Sequence, residues 1–199
     1  MSVLAINRST IVDRVIPSSF AADAALVATG AALTALAAQI SIPASPVPFT
    51  LQTLVVLLVG ASMGAVRGAL SMVLYATLGI IGLPVFAPLS DGSHAVGIQA
   101  VLGATFGFVI GFAAAAYVVG LLAERNWSSH SVKMFASYAI GSLVIYAFGI
   151  PVLAGVAFGG DVVAAAGIMT PFLVWDAVKA VIAAALLPLA WAGVKKLKG

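Results

Sequence analysis

An aspartate and a lysine stand three residues apart inside a strongly apolar stretch, in the segment Trp175-Asp176-Ala177-Val178-Lys179. On a helix, positions i and i+3 share a face. The pair therefore offers one strong acceptor and one strong donor side by side. Either charge at the centre of a membrane-crossing helix costs about 2.5–3.5 kcal/mol on insertion scales. Side by side they offset each other and can still hydrogen-bond a polar guest. Ionisable residues inside a membrane are functional as a rule. The plainer alternative is a structural ion pair near a helix end. There Asp176 would gain from the positive N-terminus and Lys179 would reach toward water.

Other polar residues are weaker signals. Thr50 and Gln52 open a helix on the side of the membrane where Asp176 lies, although single polar side chains also serve as packing glue between helices. Tyr146 is the best candidate for a cavity wall, while Tyr75, Tyr117 and Tyr138 read as interfacial or packing residues. Phe49, Phe86 and Trp175 can supply the apolar walls that small-molecule sites need. Asp91 and His94 read first as solvated loop groups and second as ligand contacts. There is no cysteine, and His94 and His130 lie far apart without ligand spacing. No zinc or iron site, nucleophile–base constellation or phosphate-binding loop is expected. The reading is of a protein that is not an enzyme and needs no cofactor.

The elements that must carry these residues follow from composition. Of 199 residues, 63% are apolar and only 8% are charged, against about 25% charged in a soluble domain. Mean hydropathy is +1.20. So few charges cannot cover the surface of a soluble protein, which excludes an ordinary soluble enzyme, a disordered tail and a nucleic-acid binder. The expectation is an all-α membrane protein with one integral domain over 1–199. It comprises an N-terminal tail (1–21), a bundle (22–194) and a C-terminal tail (195–199). Arg8, Asp13, Arg14 and Pro17 interrupt the first twenty residues, so they do not read as a cleaved signal peptide.

About 20 apolar residues cross the hydrocarbon, and six such stretches are expected at 22–40, 49–66, 68–83, 98–123, 134–158 and 171–194. Basic residues favour the cytoplasmic side. With both termini inside, that side holds Arg8, Arg14, Arg67, Arg125, Lys133, Lys195, Lys196 and Lys198. The outer loops hold no Lys or Arg, only Asp91, His94 and Asp161. Lys179 alone lies within a span. The outer loops at 42–48 and 84–97 are rich in proline and glycine, as shaped surface loops or lids are. Gly149 and Pro151 predict a kink or a break in the fifth span, and Pro188 a bend in the sixth. Thr170-Pro171 suits the start of the last helix, with threonine as its cap. Ala24, Ala28 and Ala32 recur every four residues, beside a second row at Ala31 and Ala35. Such rows let another helix approach closely, either within this chain or from another subunit.

Three segments together resemble the BioY family. They are Pro46-Val47-Pro48-Phe49-Thr50-Leu51-Gln52-Thr53, Gly79-Ile80-Ile81-Gly82-Leu83-Pro84-Val85-Phe86 and Trp175-Asp176-Ala177-Val178-Lys179. The family comprises substrate-binding (S) components of energy-coupling factor (ECF) transporters for biotin. Trp175 stands where the family usually has glycine. Leu102-Gly103-Ala104-Thr105-Phe106-Gly107-Phe108 stands where it usually has Gly-Pro-Thr-Gly-Gly-Tyr. The resemblance implies a six-helix S component of the bacterial plasma (inner) membrane that captures biotin under a closing outer loop. The implied ligand-binding residues are Asp176, Lys179, Gln52, Thr50, Phe49, Phe86, Asp91, Thr105, Tyr146 and Trp175. Ala24, Ala28 and Ala32 would dock onto a coupling module made of a transmembrane subunit and two ATPases. Biotin is then the substrate, membrane lipid the surrounding partner, and no nucleic acid is involved. An S component for another vitamin and an ion-coupled carrier are the rival readings.

Overall fold

The computed structural model describes residues 10–198, with side chains as far as Lys196; Arg8 and the side chain of Lys198 lie outside the described residues. A short helix α1 (Ile11–Val15) precedes α2 (Phe20–Gln39), a two-stranded hairpin, and the helices α3 (Gln52–Met63) and α4 (Ala65–Ile80). Helix α5 (Gly97–Val101), α6 (Phe106–Glu124), α7 (Ser131–Ala157), α8 (Val162–Ile168) and α9 (Thr170–Lys198) follow. Helices α2, α6, α7 and α9 are each long and apolar enough to cross a membrane. Their outer faces carry bulky apolar side chains, such as Leu33, Leu36, Leu143, Val174, Val178 and Val181, which are exposed. This is a multi-pass membrane protein whose lipid is the solvent for those faces.

The second and third expected spans are shorter than the apolar runs suggested. Helix α3 has 12 residues and α4 has 16, about 18 and 24 Å at 1.5 Å per residue, against roughly 30 Å of hydrocarbon. They are joined by Gly64 alone, whose φ of 89° requires glycine. The first residues of α3, Gln52 and Thr53, line a cavity at the outer end of the bundle. The loops around 41–50 and 84–105 surround that cavity.

Two further expectations are corrected, the continuity of the fourth span and the cap of the last helix. The fourth span is two pieces, since α5 ends at Val101 and α6 starts at Phe106. Neither proline ends its helix: α7 continues through Pro151 and α9 through Pro188. The loop at 159–170 contains α8, capped by the Asp161 carboxylate on the N–H groups of Val163 and Ala164. Thr170 does not cap α9; its hydroxyl donates to the Gly167 carbonyl.

At the basic end of the bundle, residues 10–15 of the segment read as a tail pack onto the helices. Thr10 and Ile11 are buried, and Asp13 of α1 meets Arg67. Arg67, expected at a solvated turn, is buried in the first turn of α4. Its Nη1 lies 2.7 Å from Asp13 Oδ1 and its Nη2 2.8 Å from Asp23 Oδ1. Glu124 accepts the Ala65 N–H at 2.9 Å and so caps α4 with a carboxylate. Trp191 donates to Ser128 at 3.0 Å.

Candidate functional site

Helix α9 has a buried stripe at Asp176, Lys179, Ala180, Ala183 and Leu187, while Leu173, Val174, Trp175 and Val178 are exposed. Both polar groups of the pair therefore face the bundle. Lys179 Nζ lies 3.4 Å from Asp176 Oδ1. Neither is left to the other alone. Lys179 donates to Thr53 Oγ1 at 2.7 Å, and the Thr53 hydroxyl is 3.3 Å from Asp176 Oδ1. The Tyr146 hydroxyl donates to Asp176 Oδ2, and Tyr138 OH lies 3.4 Å from Thr53 Oγ1. A hydroxyl has one donor and two acceptor positions, so Thr53 is fully used. The ammonium has three N–H donors and two protein partners, which leaves one for a guest.

These groups lie on the wall of a cavity of about 450 Å³, within the range of small-molecule sites. Gln52, in the first turn of α3, donates to Tyr75 OH at 2.6 Å. Above them, the hairpin pairs Ser41 with Thr50 and Ile42 with Phe49. Its loop contributes Ser45, Pro46, Val47 and Pro48 to the lining. Phe49 stacks on Phe172, with ring centroids 3.9 Å apart and planes 8° from parallel.

The long loop after α4 closes the other side. Phe86 packs edge-on to Tyr75, with centroids 5.3 Å apart. It lies so near Gly79 that a Cβ there would overlap the ring. Its carbonyl accepts from Gln39 Nε2 at 3.3 Å and lies 2.9 Å from His94 Nδ1. Beyond it, Asp91 accepts from the backbone and hydroxyl of Ser93 at 2.9 and 2.6 Å. Those bonds, the hydroxyl first, hold the exposed Asp91 carboxyl below its ordinary pKa.

Of the residues expected at a site, Asp176, Lys179, Gln52, Thr50, Phe86, Asp91, Thr105 and Tyr146 line one cavity. Phe49 lies behind it and contacts it through Phe172, which does line it. Trp175 is outside. One residue along a helix is a turn of about 100°, so burying Asp176 leaves Trp175 50% exposed on the lipid side. Residue reading missed Thr53, which joins Lys179, Asp176 and Tyr138. Of the two places open to Tyr75 and Tyr138, interface or packing, the structure gives packing: both are fully buried and bonded to polar residues of α3, and Tyr75 also lines the cavity. A run of Thr50, Gln52 and Thr53 at the start of an apolar helix was the available signal. On α2, Ala24, Ala28 and Ala32 are exposed, and the neighbouring row at Ala31 is buried against the bundle.

The chain matches the model of the BioY family over residues 8–196. It is 40% identical over 154 residues to a protein of Thermotoga maritima named biotin transporter BioY, covering 77% of this chain and 86% of that one. A Lysinibacillus sphaericus protein named probable biotin transporter BioY is 41% identical over 128 residues, 64% of this chain and 62% of that one. Among solved structures, the S-component for biotin from an ECF-type ABC transporter superposes with a TM-score of 0.71 at 19% identity. That match covers 92% of this chain and 95% of the other, and it establishes the likeness of fold.

Proposed function

The chain belongs to the BioY family, and from that premise we propose that it captures biotin at the cavity and works as the S component of an ECF transporter. One observation carries the reading: Asp176, Lys179 and Thr53 meet on the wall of an apolar cavity covered by proline-rich loops. Biotin presents a cyclic urea with two N–H donors and one carbonyl. Asp176 accepts an N–H and Lys179 donates to the carbonyl. Hydrogen bonds to charged groups contribute roughly 1.5–3 kcal/mol each. Phe86, Phe108 and Phe172 supply apolar walls for the thioether ring. Of the expected contacts, Phe49 acts as a support behind Phe172, and Trp175 faces lipid.

The role is capture rather than catalysis, since relatives in this family carry transporter names. Transport energy then comes from a coupling subunit and two ATPases, docked on the exposed row of Ala24, Ala28 and Ala32. Isothermal titration of the folded chain with biotin tests capture. Saturable heat at micromolar ligand or below is expected, and its absence rejects the reading. Ala28→Trp tests docking: copurification with the coupling subunit should be lost while biotin affinity stays. Normal assembly by that variant removes the docking claim.

A further inference from the structure

The cavity is unevenly charged along its length. At its deep end Asp176 is matched by Lys179. At its rim stands Asp91, which lines the cavity and is exposed to solvent. The sequence has no Lys or Arg between Arg67 and Arg125, or between Lys133 and Lys179. No cation from those stretches can meet an anion at the rim. His94 is the other titratable group of this loop. Its Nδ1 is engaged by the Phe86 carbonyl, and it is not among the lining residues. The remaining polar side chains near the rim, Ser45, Ser90, Thr50 and Thr105, are uncharged hydroxyls that can donate to an amide carbonyl as well as to a carboxylate, and none brings a positive charge to offset Asp91.

On the reading that the cyclic urea occupies the deep end, the ligand's tail points to the rim. Its carboxylate would then lie toward Asp91 with no positive partner. We propose that this site accepts ligands whose tail is an uncharged or cationic amide at least as well as the free acid, and that Asp91 sets this tolerance. The class is amide conjugates of the vitamin, including amine-bearing ones. The proposal rests on the biotin reading, and its test separates the two. Asp91 is held as a carboxylate by Ser93. Its exposure keeps the effect small, so the measurement belongs at about 10 mM ionic strength, where screening reaches ~30 Å.

The purified full chain is titrated with biotin, with uncharged biotin amide and with an amine-terminated biotin amide. The expected order of affinity is cationic, then neutral, then acid. Asp91→Asn should tighten the acid by about two- to fivefold, weaken the cationic amide by a similar factor and leave the neutral amide unchanged. A neutral amide bound more weakly than the acid overturns the proposal and places the carboxylate on a donor of its own. An Asp91→Asn shift that is equal for all three also overturns it, because the effect is then independent of tail charge. If none of the three binds, the biotin reading itself has failed.

Discussion

The two ends of the bundle both bury charge in a nearly chargeless protein, and they do so differently. At the basic end, Arg67 is held by two carboxylates on two helices at 2.7 and 2.8 Å, and all three side chains are buried. Thr10 adds a 2.6 Å bond to Asp13. The guanidinium's planar fork suits such a closed arrangement. At the other end, Lys179 and Asp176 are 3.4 Å apart, share Thr53 and face open space. A buried ion pair is weak evidence for stability as such. What separates the two clusters is the cavity. The first ties α1, α2 and α4 together; the second lines open space and keeps polar capacity for a ligand. A charge in a membrane span marks a binding site only when its partners leave a direction unfilled.

The sharpest way to break that contrast is Arg67→Leu. It leaves Asp13 and Asp23 without their buried cation, a class of change that costs about 3–5 kcal/mol. Thermal unfolding in detergent should show a loss of that order. The fraction that remains folded should bind biotin with unchanged affinity. Intact stability, or a loss confined to binding, would erase the distinction. The converse variant is Asp176→Asn. The carboxylate becomes an amide of nearly equal size, so the cavity keeps its shape. Affinity should fall at least tenfold, corresponding to about 1.4 kcal/mol or more, while ligand-free unfolding moves less than for Arg67→Leu, because the pair lines the cavity and Lys179 keeps Thr53. Unchanged affinity would return Asp176 to a structural role.

Much of this was legible in the sequence, for identifiable reasons. Asp176 and Lys179 stand out because charge in an apolar run is costly. Their common inward face followed from spacing. The six-helix bundle followed from apolar runs and from the bias of basic residues. What failed were the depth and facing of elements. Lipid and protein core are both apolar, so the runs at 49–66 and 68–83 did not reveal that α3 stops at Met63 and α4 starts at Ala65. For the same reason, nothing local showed that Trp175 faces lipid while Tyr138 and Tyr75 are buried. Arg67 looked like a loop marker of orientation. Its burial depends on Asp13 and Asp23, which lie 54 and 44 residues away. Thr53 was hidden similarly, since its partner Lys179 is 126 residues distant.

Thr53 is where the contrast between a closed and an open cluster is most finely tested, because its hydroxyl serves both ends of the argument. Thr53→Val keeps the volume and the branching at Cβ but removes three hydrogen-bond partnerships, with Lys179, Asp176 and Tyr138. The ion pair survives, so the loss should be smaller than for Asp176→Asn: about fivefold in affinity, or roughly 1 kcal/mol, near the net value of one hydrogen bond. A purely structural hydroxyl would lower the unfolding temperature and leave affinity alone. A hydroxyl that positions the pair lowers affinity, and Thr53→Ser restores it by restoring the O–H. If valine matches threonine in both measurements, Lys179 and Asp176 are held by α9 and by the Tyr146 hydroxyl of α7. The open cluster would then be preorganised without its contact to α3.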